Sequence, residues 1–318
     1  MWAIQYHRYG DPSVLQRDEV CLPSLRPGEV LIETVSSGVS DIDLMYRSGR
    51  LRMHGVGFPK QPGFDVLGVI RDTRSVAVQP GRWVWSVLGL EPSRRRGTAV
   101  EYLRVDSSRI GLFPDGYAPE ADIGALTLGA LTALKSLRAA RVVAGQRILV
   151  VGAAGAVGTA AIQLARFFDA NVDAVAGPAG QDLCRHLGAS GVFDHTTVSV
   201  DAVQASGAYD AIVVAAGRGK DWLGAARPGG RIVLTRADSW IKTIPSATRG
   251  RHRVLGIAAG HSAANLTWLA QRVAEGQLTP AIGKSYDIDD LARAHHEYGH
   301  GGTAGARLIR HNHQAGPN

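Results

Sequence analysis

A chain of 318 residues has room for two cores of ordinary size, and its net charge of +7 comes almost wholly from arginine, with lysine only at Lys60, Lys135, Lys220, Lys242 and Lys284. Two distant cysteines, Cys21 and Cys184, exclude a disulfide framework or a cysteine-rich zinc lobe, and no apolar run reaches the roughly twenty residues that cross a bilayer. The start, Met1 to Arg8, lacks a signal-peptide layout, and the basic charge is scattered apart from Arg94-Arg95-Arg96; a soluble, cytoplasmic protein with no nucleic-acid partner is expected.

In chain order, residues 1 to 112 read as short strands separated by Pro and Gly: Trp2 to Tyr6, Val30 to Val35, Val66 to Ile70, Trp83 to Val87 and Ala99 to Val105. Frequent turns such as Pro27-Gly28 and Pro80-Gly81 favour a barrel-like antiparallel fold. Between these strands, Ser36 to Gly49 passes from an apolar strand to a polar turn and a short helical stretch. Polar side chains at strand ends and loops are where chemistry is usually placed, so this stretch, the loop Arg50 to Gln61 and Pro62-Gly63-Phe64-Asp65 are the expected substrate face.

Residues 118 to 138 are rich in Ala and Leu and predict two helices broken near Gly129. Strands then alternate with helices: Ile148 to Val151, Val172 to Ala176, a helix Gln181 to Leu187, Val192-Phe193, Asp210 to Ala215, a helix around Trp222 to Ala226, Arg231 to Leu234 and Val254 to Ala258. Such alternation implies a parallel, doubly wound sheet. An amphipathic helix, Asn265 to Glu275, stops at Gly276. From Gly283 the texture changes back, with a helix Ile288 to Glu297, a Gly-rich turn and a last strand, Ala306 to Ile309, that is expected to rejoin the first domain; His311 to Asn318 reads as a tail.

The most informative stretch is Gln146 to Phe168. A buried strand ends in Gly152-Ala153-Ala154-Gly155-Ala156-Val157-Gly158, and beyond it Ala161, Leu164, Ala165 and Phe168 recur at helical spacing. Glycines let a ligand approach the backbone while the free amides at a helix N-terminus face an anion, so this turn suits a dinucleotide pyrophosphate; a ligand-free strand-to-helix turn is the alternative. Its G-x-x-G-x-x-G spacing differs from the usual G-x-G-x-x-G, and no Gly-Lys-Ser/Thr ending makes it a P-loop.

Taken together and in this order, Pro27 to Ile32, Gly38 to Asp43 with Arg47-Ser48-Gly49, Pro62 to Asp65, Leu131-Thr132-Ala133, Gly152 to Gly158 and Leu187-Gly188-Ala189 resemble the medium-chain dehydrogenase/reductase superfamily, and within it the zinc-free quinone oxidoreductase and enoyl reductase branch. The resemblance covers nearly the whole chain. It implies an α/β protein with a GroES-like β-barrel catalytic domain in two pieces, 1–117 and 283–318, a Rossmann domain over 118–282, a cleft between them and a homodimer. It also implies hydride transfer to an activated C=C bond or a quinone. A tailoring reductase acting on C=C or C=N of a bulky intermediate, or a non-catalytic nucleotide- or RNA-binding relative, are the competing readings.

Zinc-dependent relatives take a cysteine ligand where this chain has Ser40 and a histidine where it has Phe64, so no metal is expected. Asp65, His295, His296 and His300 are the other donor residues, and the histidines read as a polar helix end and turn. The resemblance puts Ser40 beside nicotinamide or substrate and Thr132 near the nicotinamide, although capping or packing would also explain Thr132. The tyrosine that some enoyl reductases use as proton donor falls near Leu51, which leaves Tyr46 and Asp43 as candidates, each with a structural alternative in packing or capping; solvent is the other proton source. NAD enzymes commonly carry an acid at the end of the second Rossmann strand. Here Val175-Ala176-Gly177-Pro178-Ala179-Gly180 has none, so NADPH is the expected cofactor. The phosphate-binding lysine of relatives falls near Gly180, a tyrosine near His195, and Arg185 reads as a solvated helix face.

Overall fold

A computed structural model describes residues 1–52, 55–89, 96–236, 253–258 and 260–311. The first half is antiparallel: β1 (Trp2–Gln5) pairs with β2 (Gln16–Glu19), and β3 (Glu29–Gly38) is the central strand of a larger sheet. β4 (Asp65–Thr73), β5 (Trp83–Val87) and β7 (Ile110–Leu112) extend that sheet on one side, and β6 (Tyr102–Asp106) also pairs with β3. The sheet curls because β3 carries two register shifts against β4, between Leu31 and Ile32 and between Thr34 and Ser36. A helix, α1 (Asp41–Ser48), follows β3 directly.

The Ala- and Leu-rich stretch corrects one expectation. A 3₁₀ turn, Ala121–Leu126, leads into α2 (Thr127–Ala140), which runs unbroken through Gly129. Glycine inside a helix costs about 1 kcal/mol relative to alanine; here a Cβ at Gly129 would lie 2.6 Å from the Ala156 carbonyl oxygen, so the glycine permits two helices to touch instead of ending one.

Six parallel strands follow: β8 (Arg147–Val151), β9 (Asn171–Ala176), β10 (Gly191–Asp194), β11 (Tyr209–Val214), β12 (Ala226–Leu234) and β13 (Arg253–Gly256), in the spatial order β10-β9-β8-β11-β12-β13. This is the doubly wound order, which reverses direction at β8 and opens a crevice at its carboxyl end. Ile148 and Val150 pack into the core shared with α2, α3 (Ala156–Phe167) and α6 (Ala263–Ala274), while Leu149 and Val151 pack into a second core on the opposite face. Burial on both faces explains the continuous apolar run of β8. Two short helices, α4 (Gln181–His186) and α5 (Val200–Ala205), fill the remaining crossovers; α5 was not legible as a helix.

Beyond α6 the chain returns. β14 (Ile282–Asp287) pairs with β15 (Ala306–Arg310), which pairs antiparallel with β3, and α7 (Leu291–His300) packs between them and α1. His311, expected in the tail, is buried and bonded to Ser37 Oγ (3.0 Å) and Thr34 Oγ1 (2.8 Å); residues 312–318 lie outside the described residues, as do Arg94 and Arg95. The two sheets share one core, because Trp85 and Phe113 of the antiparallel half pack into the cluster that holds α2 and α6, and Trp85 Nε1 donates to the Leu266 carbonyl at 3.0 Å. Among the described residues no helix is long and apolar enough to cross a membrane.

Candidate active site

A cavity of about 900 Å³ lies between the two sheets, lined by the carboxyl ends of β8, β9 and β11, by α1 and the start of α2, and by the segment from Tyr298 to Arg307. On the parallel-sheet side its wall is backbone. Gly152 has φ +75°, and a Cβ there would meet the Ala216 amide nitrogen at 2.9 Å, so only glycine fits. Gly155 begins α3 with no side-chain cap, and the first ladder bond runs from the Thr159 amide to the Gly155 carbonyl. The amides of Ala156, Val157 and Gly158 therefore precede the hydrogen-bonded part of the helix. A Cβ at Gly155 would find nothing nearer than 3.5 Å, so the turn is open toward the cavity at that point. Such a wall fits a diphosphate: amide donors, a helix dipole and no side chain in the way.

The predicted nucleotide residues divide on inspection. Gly152, Ala154, Gly155, Ala156, Val157, Gly177, His195 and Thr132 line the cavity. Ala153 and Gly158 do not: Ala153 is buried with its amide donating to the Val175 carbonyl at 3.0 Å, and Gly158 is pressed against it, with a hypothetical Cβ 2.4 Å from the Gly152 carbonyl oxygen. Their part is to let strand and helix close together. At the end of β9, Gly180 explains the absent lysine, since a Cβ there would lie 2.2 Å from the Ala154 Cβ. The His195 ring stands over Gly177, its Nε2 3.2 Å from where a Cβ would be. Arg185 does not reach the cavity lining; it is bonded to Asp182 and Gln181 along α4.

On the antiparallel side the wall is made of side chains, and here the sequence expectations change most. Ser40 lines the cavity at the start of α1, but its hydroxyl donates to Asp43 Oδ2 at 2.7 Å, and its amide donates to the same oxygen at 2.9 Å. The other carboxylate oxygen of Asp43 accepts the Gly63 amide at 3.0 Å. Asp43 is thus a buried cap with both oxygens occupied, outside the cavity lining. With its hydroxyl donating to Asp43, Ser40 offers a ligand an acceptor oxygen. Thr132 is alike, its hydroxyl donating to the Leu128 carbonyl at 2.8 Å. Tyr46 is buried and stacked on Phe64 with ring centroids 5.2 Å apart; Phe64 lines the cavity and Tyr46 itself does not. The described residues of the loop 50–61 do not line the cavity either, and Lys60 is turned inward to the Gly55 carbonyl.

Four polar groups in the lining were not singled out for these roles. Asp65 is buried between the Gly38 amide (3.0 Å) and the Leu128 amide (2.9 Å), joining β4 to β3 and to the start of α2. Loss of hydration pushes its carboxyl up to about 7 against the opposing pull of those amides. Arg236, just beyond β12, pairs with Asp41 of α1 and so ties the two sides of the cavity together. Tyr298 of α7 presents a phenol that no described residue hydrogen-bonds, and burial, then the negative charge of Asp41, holds it protonated well above the usual tyrosine range. Arg307 of β15 stacks on the Tyr298 ring, its guanidinium carbon 4.9 Å from the centroid. Their sequence signal is faint, because α7 and β15 lie about 250 residues from α1 and only the return of the chain brings them to it.

The residues do not fit a catalytic metal. Ser40 is committed to Asp43, Phe64 offers no donor atom, and the buried His295 accepts from Arg47 Nε at its Nδ1 (3.2 Å) with its pKa driven down to about 3 by burial, then by the Arg47 charge. Among the described residues no group of three or more potential ligands is gathered.

Comparison with known proteins agrees with this architecture. Residues 26–115 match the alcohol dehydrogenase GroES-like domain family and residues 187–307 the family described as zinc-binding dehydrogenase. The pig quinone oxidoreductase is 28% identical over 327 residues, spanning 97% of each chain. The chain belongs to the medium-chain dehydrogenase/reductase superfamily. Within that superfamily it lies in the quinone oxidoreductase-like branch and is an oxidoreductase. A tomato 2-methylene-furan-3-one reductase is 28% identical over 242 residues; the match spans 74% of this chain and 62% of that relative. The solved quinone oxidoreductase from Coxiella burnetii shares the fold over 98% of this chain and 99% of its own, with a TM-score of 0.90 at 23% identity.

Proposed function

We propose that the protein is an NADPH-dependent, zinc-independent reductase of activated C=C bonds or quinones. The observation that carries this reading is a single cavity that runs from the 152–157 turn to a wall holding the phenol of Tyr298, which no described residue hydrogen-bonds. The curated relatives are named for a quinone and for a methylene-furanone, both conjugated carbonyl compounds.

In this reading residues 118–282 hold the cofactor and residues 1–117 with 283–318 form the catalytic lobe. The amides of Ala156 and Val157 receive the diphosphate, and the acid-free end of β9 with His195 leaves room for a 2′-phosphate. A reduced nicotinamide bound there supplies a hydride to an electron-poor carbon. Ser40 and Thr132, whose hydroxyls donate to Asp43 and to the Leu128 carbonyl, offer acceptor oxygens that orient an amide or hydroxyl group. Tyr298 holds a proton at Oη and takes the role first sought in Tyr46: it delivers that proton to the carbon or oxygen left electron-rich. Because Ser40 is bonded to Asp43 and Phe64 has no donor atom, the reading favours reduction of a polarised bond over metal-assisted alcohol oxidation. A homodimer in the cytoplasm completes the proposal and is checked by sedimentation and fractionation.

The test is to titrate purified protein with NADPH and NADH by nucleotide fluorescence and then add 3-penten-2-one or 1,4-benzoquinone. Tighter binding of NADPH and its consumption with either acceptor are expected; failure to bind both nucleotides would reject the reading.

A further inference from the structure

Three arginines line the cavity, and two are paired: Arg236 with Asp41, and Arg218 with Asp221 at 2.9 Å. Arg307 is different. Its side chain is buried, at 6% exposure, its Nε is shut from solvent with no acceptor, and no hydrogen bond or ion pair joins its guanidinium to any described residue. Alternation along β15 explains where it points: Ala306 and Leu308 pack with Ala125, while Ile309 packs with Val39, Leu44 and Tyr298, which puts Arg307 on the α1 and α7 side.

The carboxylates on the elements around it are all engaged. Asp41 holds Arg236, Asp43 holds Ser40 and Gly63, Asp65 holds Gly38 and Leu128, and Glu297 takes Lys284 Nζ at 2.6 Å and the Tyr286 hydroxyl at 2.9 Å. Stacking on Tyr298 satisfies the face of the guanidinium but none of its five N–H groups. A buried cation without a counter-ion is unfavourable in the folded chain by itself, and a planar fork of donors matches a carboxylate in two parallel bonds.

We propose that the substrate carries a carboxylate in addition to its conjugated double bond, and that Arg307 binds that carboxylate. The inference rests on the reductase reading above and narrows its substrate class from neutral enones and quinones to unsaturated keto acids. Arg307 then acts as a specificity residue and Tyr298, held in place beneath it, as the neighbouring proton source.

The experiment compares (E)-4-oxopent-2-enoate with its methyl ester in the full chain, the Arg307→Met variant and the Arg307→Lys variant, together with calorimetric titration of saturated 4-oxopentanoate into protein free of nucleotide. A charged hydrogen-bonded contact predicts a KM for the acid about 10- to 100-fold below that of the ester. Arg307→Met is expected to erase that difference, Arg307→Lys to keep part of it, and NADPH affinity to stay unchanged in both. Replacing an unpaired buried cation by a thioether of similar length is expected to leave Tm equal or higher, so folding is not at risk. Equal KM values for acid and ester in the unmodified protein, survival of the acid preference in Arg307→Met, or a selective loss of NADPH binding there would each overturn the proposal. If neither probe is reduced, the reductase reading fails, and calorimetry still decides this one: 4-oxopentanoate binding that Arg307→Met abolishes upholds the anion site, and no binding overturns it.

Discussion

On the parallel-sheet side the cavity is bordered by the main chain of the 152–157 turn, whereas on the antiparallel side it is bordered by the side chains of Ser40, Asp65, Tyr298 and Arg307. The 152–157 turn is one continuous stretch of sequence, whereas the second wall draws on β3, α1, β4, α7 and β15. Backbone amides recognise a group common to every nicotinamide nucleotide, so that wall needs small residues and tight packing. Side chains assembled from distant segments can be exchanged one at a time, and the antiparallel wall is where this chain places its own combination of groups.

The sharpest way to break this comparison is to put a charge into the backbone wall. Gly155 has φ −85°, and a Cβ there would make only an ordinary contact, 3.5 Å from the Gly152 carbonyl oxygen, so Gly155→Asp should fold normally. A carboxylate about 4 Å from a phosphate opposes binding by about 4 kcal/mol at an intermediate dielectric, or about 1000-fold in Kd. Fluorescence titration with NADPH checks this, with circular dichroism as the folding control. On the side-chain wall, Tyr298→Phe should lower kcat about 100-fold while leaving nucleotide affinity intact. An unchanged kcat would return the proton source to solvent.

Two buried titratable groups sharpen the contrast between cavity and packing. Asp65, on the wall, has its pKa raised to about 7, so the unfolded chain loses its proton first and stability falls as pH rises from about 4 to 7. His295, away from the cavity, has its pKa lowered to about 3, so the unfolded chain gains a proton first and stability falls as pH drops from about 6.5 to 3. Each contributes about 1.4 kcal/mol per pH unit inside its window, and the two oppose each other between about pH 4 and 6.5. The unmodified protein should therefore show a flat profile there. Asp65→Asn should become more stable with rising pH and His295→Gln less stable, as read from urea midpoints across that range; parallel profiles would contradict the assignment. The smallest effect is expected at Ser40→Ala, which removes a helix-start contact worth about 1 kcal/mol in urea unfolding and changes kcat/KM only a few-fold.

Much of the fold was legible because its signals are local. The apolar run Ile148 to Val151, the three glycines after it and the helical spacing beyond are set by burial on two faces and by the demands of a tight turn, all within about twenty residues. The return of the last strand could be anticipated from texture, but β14 and the helix α5 could not: β14 is mostly exposed, and α5 is six residues long with one buried side chain. Gly129 misled because a glycine that admits a neighbouring helix and one that ends its own look identical in sequence.

The antiparallel wall followed a different rule. Ser40, Asp43 and Tyr46 sit together in sequence, yet they part in space: Ser40 faces the cavity, Asp43 caps the helix beneath it and Tyr46 stacks on Phe64. A helix turns its side chains through 100° per residue, so proximity along the chain does not decide which of them reaches a ligand.

The sequence by itself determined that a glycine turn joins a buried strand to a helix and that β9 ends without an acid, since both depend on residue type and short spacing, and the family resemblance set Ser40 and Phe64 where zinc-dependent relatives carry ligands. Only the tertiary structure decided that Tyr298 and Arg307 line the same cavity as the glycine turn and that Arg307 has no counter-ion among the described residues. The reason is that pairing and burial are properties of contacts between segments hundreds of residues apart, and no local pattern records which charge is left without a partner.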